Sequence, residues 1–189
     1  VGYVNATGID LGAVKIAGDL GRIAAGTVGG DVKVPALKSL TIESLGLLGT
    51  SLGSCLAYLA ACHEPLVKTQ ALNHVSPYFG DVVWRGLSTE HVREGLEGHV
   101  NLEQLRDLWR PISPWSFLDR LHDKTTLMVY AKYDLTFPVD LSRQLIDEIR
   151  RRRLRLDVRV LPCGHYSTGA APYKYLDAWY LGKFLATRL

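Results

Sequence analysis

From about residue 46 onward, short apolar runs alternate with longer stretches of helical composition, and this alternation constrains the fold more than any other feature of the chain. Strands separated by helices pair in parallel, because a parallel neighbour is reached only through a crossover, and the helices then cover both faces of the sheet. Residues 40–48 read as a strand, interrupted by Gly46. Residues 52–63 follow as a helix that Pro65 stops. Further strands are expected at 68–74, 126–131 and 156–161. A helix with Pro138 at its start is expected at 138–152. The closing helix is expected at 173–189, with Tyr173, Leu176, Trp179, Tyr180 and Phe184 on one face. Between residues 77 and 122 the pattern gives short helices and no strand. Ser88 is placed to cap one of them, with Glu90 in its first turn. Asn101 is placed to cap another, whose apolar residues are Leu102, Leu105, Leu108 and Trp109.

The first residues have a different character. Glycine recurs at Gly2, Gly8, Gly12, Gly18, Gly21, Gly26, Gly29 and Gly30, between short stretches rich in Val, Ile and Ala. The alternation in Ile9-Asp10-Leu11 and Val14-Lys15-Ile16 has the period of a strand. A weak echo relates residues 10–18 to residues 19–26, as in a β-solenoid or a meander. Residues 1–39 are therefore read as a Gly-rich β segment, and residues 40–189 as a separate α/β domain. The chain begins with Val1, which points to a fragment or a processed form, and its first residues lack the basic start and apolar core of a secretion signal.

Charge and cysteine content narrow the partners. A net charge of +3 is too small to argue for nucleic acid. The one dense basic run, Arg150 to Arg153, falls at a helix end, where cations offset the dipole. No apolar run approaches the roughly 20 residues of a membrane span. Cys55, Cys62 and Cys163 are odd in number, so no disulfide framework is expected and a reducing compartment such as the cytoplasm is favoured. Their spacing, with His63, lacks the short ligand pairs of zinc sites, so no metal is expected.

Three residues carry chemistry. Gly49-Thr50-Ser51-Leu52-Gly53 lies between an apolar strand and a helix-forming run. A serine on so sharp a turn has strained backbone angles and needs small neighbours two positions away, and the following helix points its N-terminus at a developing anion. Asp134 follows the strand 126–131, at the carboxyl edge where open parallel sheets gather their sites, although a turn or N-cap aspartate would occupy the same place. Asp140, inside the next helix, is the weaker alternative. His165 follows the strand 156–161 in Gly164-His165 and can exchange a proton near neutral pH. His63, His91, His99 and His122 have less to recommend them. His74, just past a strand, reads as a structural residue or a pocket lining.

These residues, in the order Ser, Asp, His and each at a strand end, resemble the α/β-hydrolase superfamily from its nucleophile strand to its last helix. The resemblance covers residues 40–189. It implies a partial α/β-hydrolase fold with a parallel sheet, a catalytic triad of Ser51, His165 and Asp134, and the Leu52 N–H as one oxyanion donor. It makes residues 77–122 a cap over the site, whose Phe79, Trp84, Trp109, Trp115 and Phe117 would line a pocket or simply pack the helices. The implied activity is serine hydrolysis of a small carboxylic ester or acyl substrate without a cofactor. The alternative is a catalytically impaired hydrolase-like binding protein. That alternative arises because only 48 residues precede Gly49, too few for several βαβ units of about 30 residues each. No His-Gly-Gly-like loop for a second oxyanion donor is present among them.

Overall fold

The computed structural model describes residues 44–188 continuously, preceded by four short strands: β1 (Val4–Thr7), β2 (Leu11–Lys15), β3 (Ile23–Gly26) and β4 (Leu37–Thr41). β1 pairs with β3 and β2 with β4, both in parallel. Parallel pairing excludes a meander, whose neighbouring strands run antiparallel. Gly12 lies in β2 and Gly26 closes β3, and the other glycine turns expected in this segment fall outside the described residues.

The main sheet has four parallel strands whose spatial order is their chain order: β5 (Leu45–Thr50), β6 (Val67–Asn73), β7 (Thr125–Ala131) and β8 (Arg155–Leu161). The single strand expected at 40–48 is two. β4 ends at Thr41 on the ladder with β2, and β5 begins at Leu45 on the ladder with β6, with a register irregularity at Leu45/Gly46. The crossovers are helical, as parallel pairing requires. α1 (Leu52–His63) joins β5 to β6, and α5 (Val139–Arg151) joins β7 to β8. α6 (Tyr173–Arg188) closes the chain.

The pleat sorts the core into two halves. Leu72 and Met128 point to the face covered by α1 and α5, where they meet Cys55, Tyr58, Leu145 and Ile149. Ala71, Leu127, Val129 and Ala131 point to the opposite face and pack with Leu161, Leu181 and Phe184. Both central strands are thus buried on both sides; β7 reads as a continuous apolar run over 127–131, whereas β6 buries the polar Thr69, Gln70 and Asn73 among its apolar residues. The helix face expected for the last element is corrected here. Leu181 and Phe184 are its buried residues, with Tyr173, Tyr180 and Leu185 beside them, whereas Trp179 is 60% exposed and Leu176 also faces solvent.

Between β6 and β7 lie α2 (Phe79–Arg85), α3 (Glu90–Leu96), α4 (Leu102–Leu108) and three 3-10 segments. Asn101 caps α4 as expected, in a reciprocal capping box with Gln104. Ser88 does not cap α3; it lies inside the 3-10 turn Leu87–Thr89. In α4, Leu105 alone is buried and Leu108 is exposed, because a seven-residue helix turns only a narrow stripe inward. Phe79 belongs to the core beneath α1, and Trp109, Trp115 and Phe117 pack against it, so these aromatics hold the insertion to the sheet. The fully buried Asp81 receives two hydrogen bonds from Arg106, at 2.7 and 2.5 Å, which tie α2 to α4. The insertion also touches the loop after β7. The N–H of Leu87 donates to Leu135 O at 2.8 Å, and a Cβ on Gly86 would meet Thr136 O at 2.4 Å, so glycine is required there.

Candidate active site

Because all four strands run the same way, their carboxyl ends form one edge, and Ser51, His74, Asp134 and His165 each follow a strand onto that edge. At about 4.8 Å per strand, β8 lies roughly 14 Å from β5, so His165 reaches Ser51 only because its loop folds back. That loop is held to the one beside it: Lys132 N donates to Leu161 O at 2.8 Å and Tyr133 N to Cys163 O at 3.0 Å.

Ser51 has φ 56° and ψ −127°, a conformation that L residues rarely adopt, directly between β5 and α1. The turn is fastened from both sides. Ser51 N donates to Asn73 O at 2.8 Å, Ser54 N donates to Ser51 O at 2.9 Å, and the Ser54 hydroxyl also donates to Asn73 O. The two flanking glycines are not equivalent. A Cβ on Gly49 would stand 2.4 Å from Gly53 O and 2.6 Å from Ser54 Cα, whereas one on Gly53 would meet nothing within 4 Å. The expectation that both neighbours must be small therefore holds for Gly49 alone, because only Gly49 lies under the returning helix backbone.

Ser51 Oγ lies 3.0 Å from His165 Nε2, and His165 Nδ1 lies 2.9 Å from Asp134 Oδ2. Asp134 Oδ1 accepts the N–H groups of Thr136 at 2.9 Å and Phe137 at 2.8 Å, which fixes the carboxylate plane. Burial pushes the Asp134 carboxyl up, but His165, His74 and the Phe137 N–H together outweigh it and hold the group well below the usual carboxylate range. The Phe137 ring stacks on the His165 imidazole at 5.5 Å, with 4° between the planes. Asp140, the alternative acid, is instead engaged by Arg85 on the surface.

One residue at this edge was read from sequence as structural. His74 is buried, its Nδ1 is 2.7 Å from the same Asp134 oxygen that His165 contacts, and its ring centroid is 4.3 Å from that of His165. Its one sequence signal is its place directly after β6. His74, Asp134 and His165 also form the single cluster of three possible metal ligands among the described residues. Their nitrogen–oxygen separations are 2.7 and 2.9 Å, shorter than the roughly 3.3 Å between two ligands on a tetrahedral zinc with bonds of about 2.0 Å. The three cysteines are free and buried.

Solved structures share this arrangement of strands and helices. An acylaminoacyl peptidase from Pyrococcus horikoshii superposes with a TM-score of 0.63 at 14% identity, over 77% of this chain and 23% of that one. An esterase from Pyrococcus furiosus superposes at 0.56 and 15% identity, over 78% and 55% respectively. A puromycin-hydrolysing peptidase from Mycobacterium tuberculosis gives 0.58 at 15% identity, over 77% and 23%. All three are α/β-hydrolase fold members. The chain carries part of the α/β-hydrolase fold. It spans between about a quarter and about half of the length of these proteins. No protein-family model and no curated protein matches its sequence.

Within this fold the Leu52 N–H heads α1 beside Ser51, at the positive end of the helix. No helix is described before Leu52, and β1 to β4 pair outside the four-stranded sheet, so an early strand-to-helix loop has no counterpart among the described residues. Leu52, next to Ser51 in the chain, and Tyr166, next to His165, are both exposed.

Proposed function

We propose that this α/β-hydrolase unit is a serine hydrolase acting on carboxylic esters or related acyl compounds, with Ser51 as nucleophile, His165 as general base and acid, and Asp134 as its orienting carboxylate. The observation that carries this reading is the unbroken relay from Ser51 Oγ through both His165 nitrogens to Asp134, at 3.0 and 2.9 Å, starting from a strained serine. Asp134 keeps the imidazole proton on Nδ1, leaving Nε2 free to accept. Ser51 Oγ attacks the acyl carbon as its proton passes to Nε2, and the tetrahedral oxygen turns toward the Leu52 N–H. Collapse expels the alcohol, which takes the proton from Nε2. Water then repeats the sequence on the acyl-enzyme, releasing the acid and restoring Ser51. The exposed Leu52 and Tyr166, adjacent in the chain to Ser51 and His165, offer apolar surface to a hydrocarbon acyl chain. The esterase and peptidase activities printed for the structural neighbours belong to those proteins and supply only the reaction class.

One observation favours a second reading, a hydrolase-like binding protein of impaired activity: Leu52 is the one oxyanion donor that the described chain supplies. Losing one of two donors costs on the order of 100- to 1000-fold in rate. Turnover of short p-nitrophenyl esters separates the two. Serine hydrolysis predicts turnover that disappears in Ser51→Ala. No turnover, together with acyl-ligand binding that survives Ser51→Ala, would replace it with the binding reading.

A further inference from the structure

His74 holds a place that packing does not explain. It is 1% exposed, and it adopts φ 60°, a left-handed conformation, while its N–H donates to Val129 O at 2.9 Å. Histidine tolerates that region better than most side chains but still at a cost. The ring lies beside both Asp134 and His165, which are themselves in direct contact.

The Thr168 hydroxyl donates to the His165 carbonyl at 2.5 Å, and the same oxygen lies 3.3 Å from His74 Nε2. Nδ1 faces Asp134 Oδ2 at 2.7 Å, without the alignment of a full hydrogen bond. The groups facing this ring are Asp134 from the loop after β7, His165 from the loop after β8, and Asp177 from α6, whose carboxyl is buried enough to be pushed above its ordinary value. Two carboxylates and no lysine or arginine thus surround the ring in these contacts.

Resting on the triad reading above, we propose that His74 is a positioning residue: its buried ring shares Asp134 Oδ2 with His165 and, through Thr168, braces the loop that carries His165. It holds the carboxylate against His165 Nδ1, and its ring packs against that of His165 at 4.3 Å between centroids, so both the acid and the loop keep the geometry that directs His165 Nε2 at Ser51.

The test reads the tautomer of His165 from its ring nitrogens by NMR in 15N-labelled wild-type protein, in His74→Asn and His74→Gln, and in Thr168→Val, which leaves the ring in place. Asparagine retains tolerance of the left-handed backbone. Wild-type His165 is expected to show one tautomer with the proton on Nδ1, the two His74 variants a mixture of tautomers, and Thr168→Val a smaller change. Where ester turnover is measurable, kcat falls in the His74 variants with little change in KM. Folded variants whose His165 signals coincide with wild type would overturn the proposal. Serine labelling and ester turnover judge the triad separately, since the His165 signals report on His74 whether or not any ester is cleaved.

Discussion

Gly49 and Gly53 look interchangeable in the pentapeptide around Ser51, and opposite outcomes are expected when each becomes alanine. A Cβ on Gly49 would enter within 2.4 to 2.7 Å of Gly53 O, Gly53 C and Ser54 Cα. All three atoms are backbone, so no side chain can swing aside; relief requires α1 to move by close to 1 Å from the end of β5. Overpacking of this kind costs about 1–3 kcal/mol, and a contact made wholly of backbone belongs at the upper end. For a chain of this size, about 3 kcal/mol lowers Tm by roughly 6–12 °C. Ser51 lies inside the displaced turn, and misplacement by about 1 Å costs on the order of 100-fold in turnover. Gly53, in the first turn of α1, has open space, so Gly53→Ala gains helix propensity of about 0.5 kcal/mol and leaves turnover within about twofold. Calorimetry and ester assays on both variants decide the matter. A Gly49→Ala protein with wild-type Tm and activity, or a Gly53→Ala protein more damaged than it, would refute the reasoning.

Other outcomes follow from the same contacts. Asp134→Asn should lower kcat by about four orders of magnitude, since the amide no longer fixes the His165 tautomer. Because the folded Asp134 carboxyl is held low, its contribution to stability is present above the ordinary carboxylate pKa of about 3.9. The stability difference between wild type and Asp134→Asn should hold above about pH 5 and shrink only as pH falls below about 4, read from denaturant midpoints. Burial pushes the Cys55 and Cys62 thiols up to about 12. A raised folded value favours the protonated native state, so stability should decline as pH climbs from about 9 towards 12, and neither thiol should react with iodoacetamide at pH 8 until the protein unfolds. Arg106→Ala strands the buried Asp81 carboxylate and should cost about 2–3 kcal/mol, below the range for a fully buried pair because Arg106 is partly exposed. Arg110→Ala, whose partner Asp107 is on the surface, should cost under about 0.5 kcal/mol by the same calorimetry.

The buried centre of the fold was legible because burial on both faces leaves a plain mark. β7 carries a continuous apolar run over 127–131, and the observed ends of β6 and β7 fall within a residue of expectation at 67–73 and 125–131. α1 matched because Pro65 enforces its end. The relay residues were legible for a related reason: in a parallel sheet every strand end reaches the same edge, so strand order converts into proximity. Local periodicity served less well where burial comes from one distant neighbour. The inward face of α6 is chosen by Ala71, Leu127 and Val129, more than forty positions away in the chain, and no spacing within the helix announces Leu181 over Trp179. The break between β4 and β5 depends on which ladder each half joins. His74 escaped because a lone histidine after a strand has no signature, and its contact with Asp134 spans sixty residues.

The central claim is that His165 makes Ser51 a nucleophile. Exposure to a fluorophosphonate at neutral pH, read by intact mass and peptide mapping, tests it most directly. One adduct per chain on Ser51 is predicted, absent in Ser51→Ala and slowed by orders of magnitude in His165→Ala. A folded wild-type protein that takes no label, or takes it as fast without His165, would contradict the claim.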